Sequence, residues 1–199
     1  MKITNITLAF LAAAAVGSLS AVTQENIEKV RQGTCEKCDL KGLQFNLIKY
    51  AFKFKVEPIN LSGSDLQDAN LENADLNGAN LNDCNLSNAK LREANLTNAS
   101  LQRVKAHGAD FEAVTANNAN FNYADLKKCN FLGSYLVGAQ FVGANLELAS
   151  FKYASLFNTN FRDAYLKGAL FFRTHGKPDF QDQQDPKTIS FGYHRSDQK

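Results

Sequence analysis

Cys35 and Cys38, in the stretch CEKC, are the residues whose type and spacing point most directly to chemistry. Two cysteines three apart suit a local disulfide, a redox pair, or half of a metal site. Zinc wants four ligands, and the chain has neither a second such pair nor a histidine cluster; His107, His175 and His194 are scattered. Thioredoxin-like chemistry needs a strand–helix–strand setting that the surrounding pattern does not supply. A structural disulfide is therefore the preferred reading, although so short a loop gains little chain-entropy stabilisation. Cys84 and Cys129 stand where alanine stands elsewhere and read as its substitutes, too far apart to bridge. Outward acidic pairs such as Asp110 and Glu112 read as solvated side chains. No nucleophile elbow, phosphate loop or zinc motif is present, so neither catalysis nor a cofactor or metal is expected.

What positions these residues is a repeat. From Ala74 to Leu96 the chain reads ADLNGANLNDCNLSNAKLREANL, with leucine every fifth residue and a small residue two places before it. An amphipathic helix repeats at 3.6 and a half-buried strand at 2, so neither accounts for a period of five. The register runs unbroken from Leu61 to Phe171, 23 units in all. The large position is Leu or Phe except at Ala106 and Ala116, and neither the large nor the small position ever carries a charge. Two inward and three outward residues per unit predict a narrow solenoid around an apolar stack. In the two exceptional units the small position grows to Val104 and Val114, which moves volume without losing it.

The units ADLNGANL, ANLTNASL and ANFNYADL match A(D/N)LxX and resemble the pentapeptide repeat family, over more than half the chain. The resemblance implies an all-β fold, a right-handed quadrilateral β-helix with four pentapeptides to a coil. The run would make nearly six coils, roughly 28 Å tall at about 4.8 Å per stacked strand. The residues carry their own test of four per coil. Phe111, Phe121, Phe131, Phe141, Phe151, Phe161 and Phe171 recur every ten residues with leucines between them. Four units per coil give unmixed ladders of Phe and Leu, whereas three would mix them in every column. Residues 20 apart become neighbours, which predicts a charge ladder Glu72–Arg92–Glu112 worth on the order of 0.2–1 kcal/mol per exposed pair. Asn and Asp before each Leu are expected to bond nearby backbone and favour turns.

Outside the repeat, residues 1–20 read as a signal peptide. Lys2 is basic, Ile6 to Gly17 is an apolar stretch too short to span a bilayer, and small residues prepare cleavage near Ser20/Ala21. A periplasmic or secreted location follows, with no stable membrane span after cleavage. Residues 21–58 are expected to cap the solenoid: a short helix over Ala21–Arg31 started by Thr23, then CEKCDLKG opening a first coil with Leu40, Phe45 and Tyr50, then a strand in IKYAFKFKVEP. CxxCDLxG before the repeats also resembles exported members of the family. The β-helix is assigned to 59–172 and an irregular polar tail to 173–199, with TISFGY a candidate strand.

The net charge of +2 is unevenly spread: Leu61–Ala89 has five acidic and no basic residues, and Lys90–Phe171 has nine basic and six acidic. Outward apolar residues gather late, at Leu132, Tyr135, Val137, Val142, Leu148, Tyr153 and Phe157. Of these, Tyr135, Val137, Val142 and Phe157 should share one corner. Such a patch marks a contact: the tail, a second copy, or a partner protein. The expected function is thus an exported, non-catalytic scaffold for protein–protein interaction or self-association. The resemblance also implies an alternative, since some family members mimic duplex DNA, bind DNA gyrase and confer quinolone resistance. Those are strongly acidic and cytoplasmic, whereas the run here has nine basic and eleven acidic residues. A nucleic-acid partner is not expected. A secreted effector directed at a host is compatible with export and has no specific support.

Overall fold

A computed structural model describes residues 24–31, 35–41 and 58–181. The expected signal peptide, Thr23, Phe45, Tyr50, the strand in IKYAFKFKVEP and the TISFGY strand lie outside these residues.

Each five-residue unit is short because it turns back at once. After Leu61 the chain bends so that the Ser64 N–H donates to the Leu61 carbonyl at 3.0 Å, and the same four-residue closure recurs through the coil. In the type II form of such a turn the third residue takes positive φ. Every residue at that place, from Gly63 to Arg173, has it. Gly, Asn and Asp supply it at little cost, while Arg103, Ala113, Tyr123, Leu148 and Tyr153 adopt it against their preference. The residue before each Leu or Phe sets up the turn. The side-chain oxygens of Asn70, Asp110, Asn130 and Asn145 accept the N–H two residues on, at 3.0–3.2 Å. That is the Asx bonding the composition foretold.

Stacking then follows from the free backbone groups. Parallel bridges join Asn60 to Asn80, Asp65 to Asn85, Asn70 to Lys90 and Asp75 to Asn95, and so on to Ser155 and His175. All are 20 residues apart, so four pentapeptides make one coil. Each unit also bonds through its large residue: Leu61 N–H reaches the Asn80 carbonyl at 2.8 Å. Side chains repeat the link, with Asn85, Asn95 and Asn130 donating to Asp65, Asp75 and Asp110 at 3.0 Å. Arg92–Glu112 and Arg103–Asp83 pair at 2.7 Å and Lys127–Glu147 at 2.6 Å, again across one coil.

The core is a column of inward residues, buried from Ile59 to Phe171. Phe111, Phe131, Phe151 and Phe171 stack with centroids 4.7–4.9 Å apart. Phe121, Phe141 and Phe161 stack on the other side at 4.8–5.0 Å. Neighbouring rings of the two ladders meet edge-on at 5.3–5.9 Å, the arrangement that ring quadrupoles favour. Ala106 and Ala116 flank Phe111 within the coil where the first ring enters a core that below it is all leucine, which is where space is needed. Inward polar atoms are satisfied by backbone carbonyls, Ser134 by Phe131 in its own turn and the others by the coil below. Cys84, Cys129 and Thr159 donate to Leu61, Ala106 and Leu136 at 2.8–2.9 Å. Burial raises the Cys84 thiol pKa to about 12 and pushes Cys129 upward as well.

The two ends depart from the regular 20-residue spacing. Helix α1 covers Gln24–Arg31; its Val30 is buried with the core, and Asn26 donates to the Asp39 carbonyl at 2.9 Å. The segment around Leu40 lies in register below the first full unit through the Asp39–Asp65 bridge, a spacing of 26. At the far end the coil does not stop at Phe172. His175 pairs with Ser155, Asp179 pairs with Asn160, and Phe180 stacks on Phe161 at 5.3 Å. The unit is hidden because Gly176 occupies the large position and one residue is missing, so Pro178-Asp179-Phe180 arrives early. Gly176 is required there: a Cβ would lie 2.6 Å from the Phe157 nitrogen.

Candidate interaction surface

Cys35 and Cys38 are joined as a disulfide, and both residues are buried. Ser64, itself buried, donates its hydroxyl to the Cys35 carbonyl at 2.9 Å and accepts the Cys38 N–H at 3.1 Å. These bonds fix the Cys35–Cys38 segment to the first full coil. Among the described residues, no three His, Cys, Asp or Glu side chains gather as a metal site, and no helix is long and apolar enough to cross a membrane. Aspartates and glutamates are outward. Asp83 is held below the usual carboxylate range by its hydrogen bonds from Arg103, and Glu147 by its bond from Lys127.

The outward apolar residues are placed by the turn geometry. Tyr135 sits at a bridge position between Thr115 and Ser155. Val137 and Val142 follow at the next two corners, each with its N–H held by an asparagine one coil below, Asn117 at 3.1 Å and Asn122 at 2.9 Å. Phe157 lies one coil above Val137, its carbonyl accepting the Gly138 N–H at 2.9 Å. Tyr135 and Phe157 are 56% and 53% exposed, and the two valines are half-buried. Tyr135, Val137 and Phe157 thus gather around one corner, whereas Val142, expected at the same corner, lies one face further on because each five-residue unit turns the chain to the next side.

Tyr123, Tyr165 and Phe172 are exposed too, and the sequence reading did not single them out. Tyr123 lies across Gly143, where a Cβ would meet its ring at 2.8 Å, and Leu148 lies across Gly168 in the same way at 2.7 Å. The signal was present as a glycine 20 residues after a large outward residue. Tyr153 and Phe172 meet edge-on at 5.9 Å, with the Arg173 guanidinium over both rings at 6.0 and 5.2 Å. That second cluster is charged at its rim and lies on the face edge before Tyr135, since Ser155, which pairs with Tyr135, falls between Tyr153 and Phe157.

Several solved structures are similar to this chain. A trypsin-treated variant of QnrB1, a plasmid-mediated fluoroquinolone resistance protein, is 19% identical, with 78% of each chain covered and a TM-score of 0.33. HetL, a pentapeptide repeat protein involved in heterocyst differentiation regulation in the cyanobacterium Nostoc sp. strain PCC 7120, is 27% identical over 58% of this chain and 71% of that one, with a TM-score of 0.24. The pentapeptide repeat protein Rfr23 from the cyanobacterium Cyanothece 51142 is 22% identical over 80% and 99%, with a TM-score of 0.27. No curated protein matches the chain. The family profile for pentapeptide repeats matches in 8 copies, over residues 59–93, 79–115, 94–133, 117–152 and 134–171. With the repeat, its turn and the 20-residue coil in agreement, the chain belongs to the pentapeptide repeat family, whose members form right-handed β-helices.

Proposed function

We propose that this chain is an exported, non-catalytic scaffold whose exposed corner at Tyr135, Val137 and Phe157, with Val142 on the adjoining face edge, docks a protein partner. The rod is four-sided and right-handed, with α1 and the Cys35–Cys38 segment covering one end. One observation carries the reading: two aromatic rings and a valine lie together on the surface of a rigid coil. An exposed apolar patch of this kind marks a contact. Family members generally serve as structural or interaction proteins, which supports the same class. The inward register supports a non-catalytic role, because it leaves no charged group facing a cleft. Export rests on the charged start, apolar stretch and small residues of 1–20, and an oxidising compartment suits the Cys35–Cys38 pair. The gyrase-binding, DNA-mimicking alternative has weak support, because basic and acidic residues alternate up the rod.

The test compares cells producing the full chain with cells producing a Val137→Ala/Phe157→Ala variant. Intact mass of the protein from envelope and medium fractions should show loss of roughly the first 20 residues, as a signal peptide requires. Cross-linking in those fractions should give an adduct that the variant loses. A full-length cytosolic protein would overturn export, and an unchanged adduct pattern would overturn the corner as the docking site.

A further inference from the structure

The segments NGANLN (77–82), TNASLQ (97–102), NNANFN (117–122) and VGAQFV (137–142) hold no charged residue. They lie directly above one another, since bridges join Asn80 to Ser100, Ser100 to Asn120 and Asn120 to Gln140. These four segments form one uncharged stripe along the rod; the coil above adds Phe157 and Asn160 and ends the stripe at Arg162, which stands above Val142 and pairs with Asp179 at 2.8 Å. The other three stripes carry charges at several levels, as in Asp65–Lys105–Asp125, Glu72–Arg92–Glu112 and Lys90–Asp110. The uncharged stripe is amide and hydroxyl below and apolar at the top, where Val137, Val142 and Phe157 stand.

Its side chains are also held in place. The Asn82 oxygen accepts the Ser100 hydroxyl at 2.7 Å and the Gln102 N–H at 2.8 Å. Asn117 and Asn122 accept the Val137 and Val142 N–H at 3.1 and 2.9 Å. With those oxygens engaged, the amide nitrogens face outward as donors, Asn82 and Asn122 two coils apart in one column and Asn117 in the next. A surface fixed in this way loses little side-chain entropy on docking, and its four uncharged segments need no ion desolvation. Depletion of charge together with aromatic enrichment is the composition of an interface centre.

We infer that the partner of this stripe is a second copy of the same chain, docked side by side with both rods pointing the same way. This rests on the reading of the corner as a contact site. The rungs repeat at the coil rise of about 4.8 Å, and only a surface of equal rise stays in step with them over several coils. The same stripe of another copy has that rise. A twofold axis along the rods sets the Val137 corner of one copy against the Val142 corner of the other, twice, and sets amide against amide below. The opposite orientation, at full overlap, would bury Val137 and Val142 against Thr97 and Gln102. Isologous pairing of this kind closes at two copies.

Sedimentation equilibrium of the full chain across the micromolar range should show a dimer. A Ser100→Lys/Asn120→Lys variant places like charges opposite each other and should weaken the dimer about a hundredfold. Lys90 and Lys105 occupy the equivalent place on other stripes, so the coil accepts these lysines; Ser150→Lys, on another stripe, is the control. An Asn77→Cys/Asn82→Cys variant should oxidise to a covalent dimer, which the opposite orientation would not allow. A wild-type chain that stays monomeric overturns the inference and leaves the corner to its own cross-linking test. A dimer that survives the lysines but is lost in Val137→Ala/Phe157→Ala also overturns it, and keeps the corner as the contact. A dimer that survives both sets overturns the stripe and the corner as self-contacts.

Discussion

Ala113 shows how far a single residue can be judged. It holds φ of 53° at the third place of its turn, a conformation that costs an alanine about 1 kcal/mol and a glycine almost nothing. Ala113→Gly should therefore stabilise the fold by about 1 kcal/mol, read as a higher denaturation midpoint, even though glycine removes a side chain. No apolar count in the sequence reveals this, because the gain is backbone strain. Charge at this scale is a small effect. Asp83 and Glu147 titrate below their ordinary range because Arg103 and Lys127 bond their charged forms. Their contribution is present above an unfolded pKa of about 4 and is lost as pH falls through the lower folded values. An Asp83→Asn/Glu147→Gln variant should thus lose less stability than wild type between about pH 5 and pH 2, measured by urea unfolding at each pH. The difference will be modest, since both groups are exposed.

At the scale of the element, the coil is decided by its inward column. Phe141 stacks on Phe121 and Phe161 and meets Phe131 and Phe151 edge-on. Phe141→Ala leaves a cavity between rings that the backbone ladder keeps from closing, and should cost about 3–5 kcal/mol in equilibrium unfolding. A loss of under about 1 kcal/mol would mean that the coils slide to fill the gap. The repeat and its inward places were legible in the sequence because a period of five leaves two slots that never carry charge. The positive φ at every third outward place was only half legible: Gly, Asn and Asp announce it, while Tyr123, Leu148 and Tyr153 conceal it.

For the whole molecule, the ends and the surface matter most. Phe180 continues the ring stack beyond Phe161 and Phe171 at 5.3 Å and closes the last coil. Phe180→Ala should cost roughly 1 kcal/mol and speed amide exchange at Phe161 and His175, while exchange at Leu91 and Leu96 stays unchanged. This locality follows because each coil touches only its neighbours. Equal acceleration along the rod would show instead that the coils unfold as one unit. The closing unit escaped the sequence because one missing residue and Gly176 break the period, whereas pairing with Asn160 needs only a backbone within reach.

The sequence by itself determined the repeat, its inward and outward places, the family and the absence of charge from the core, because these are properties of a periodic pattern. The gathering of outward apolar residues at Tyr135, Val137 and Phe157 could be read once four units per coil was accepted. Only the tertiary structure decided that pairing continues past Phe172 to Asp179, how α1 and Ser64 engage the Cys35–Cys38 segment, and that four uncharged segments stack into one stripe. Each of these depends on which residues 19, 20 or 26 apart become neighbours, and backbone pairing sets that spacing.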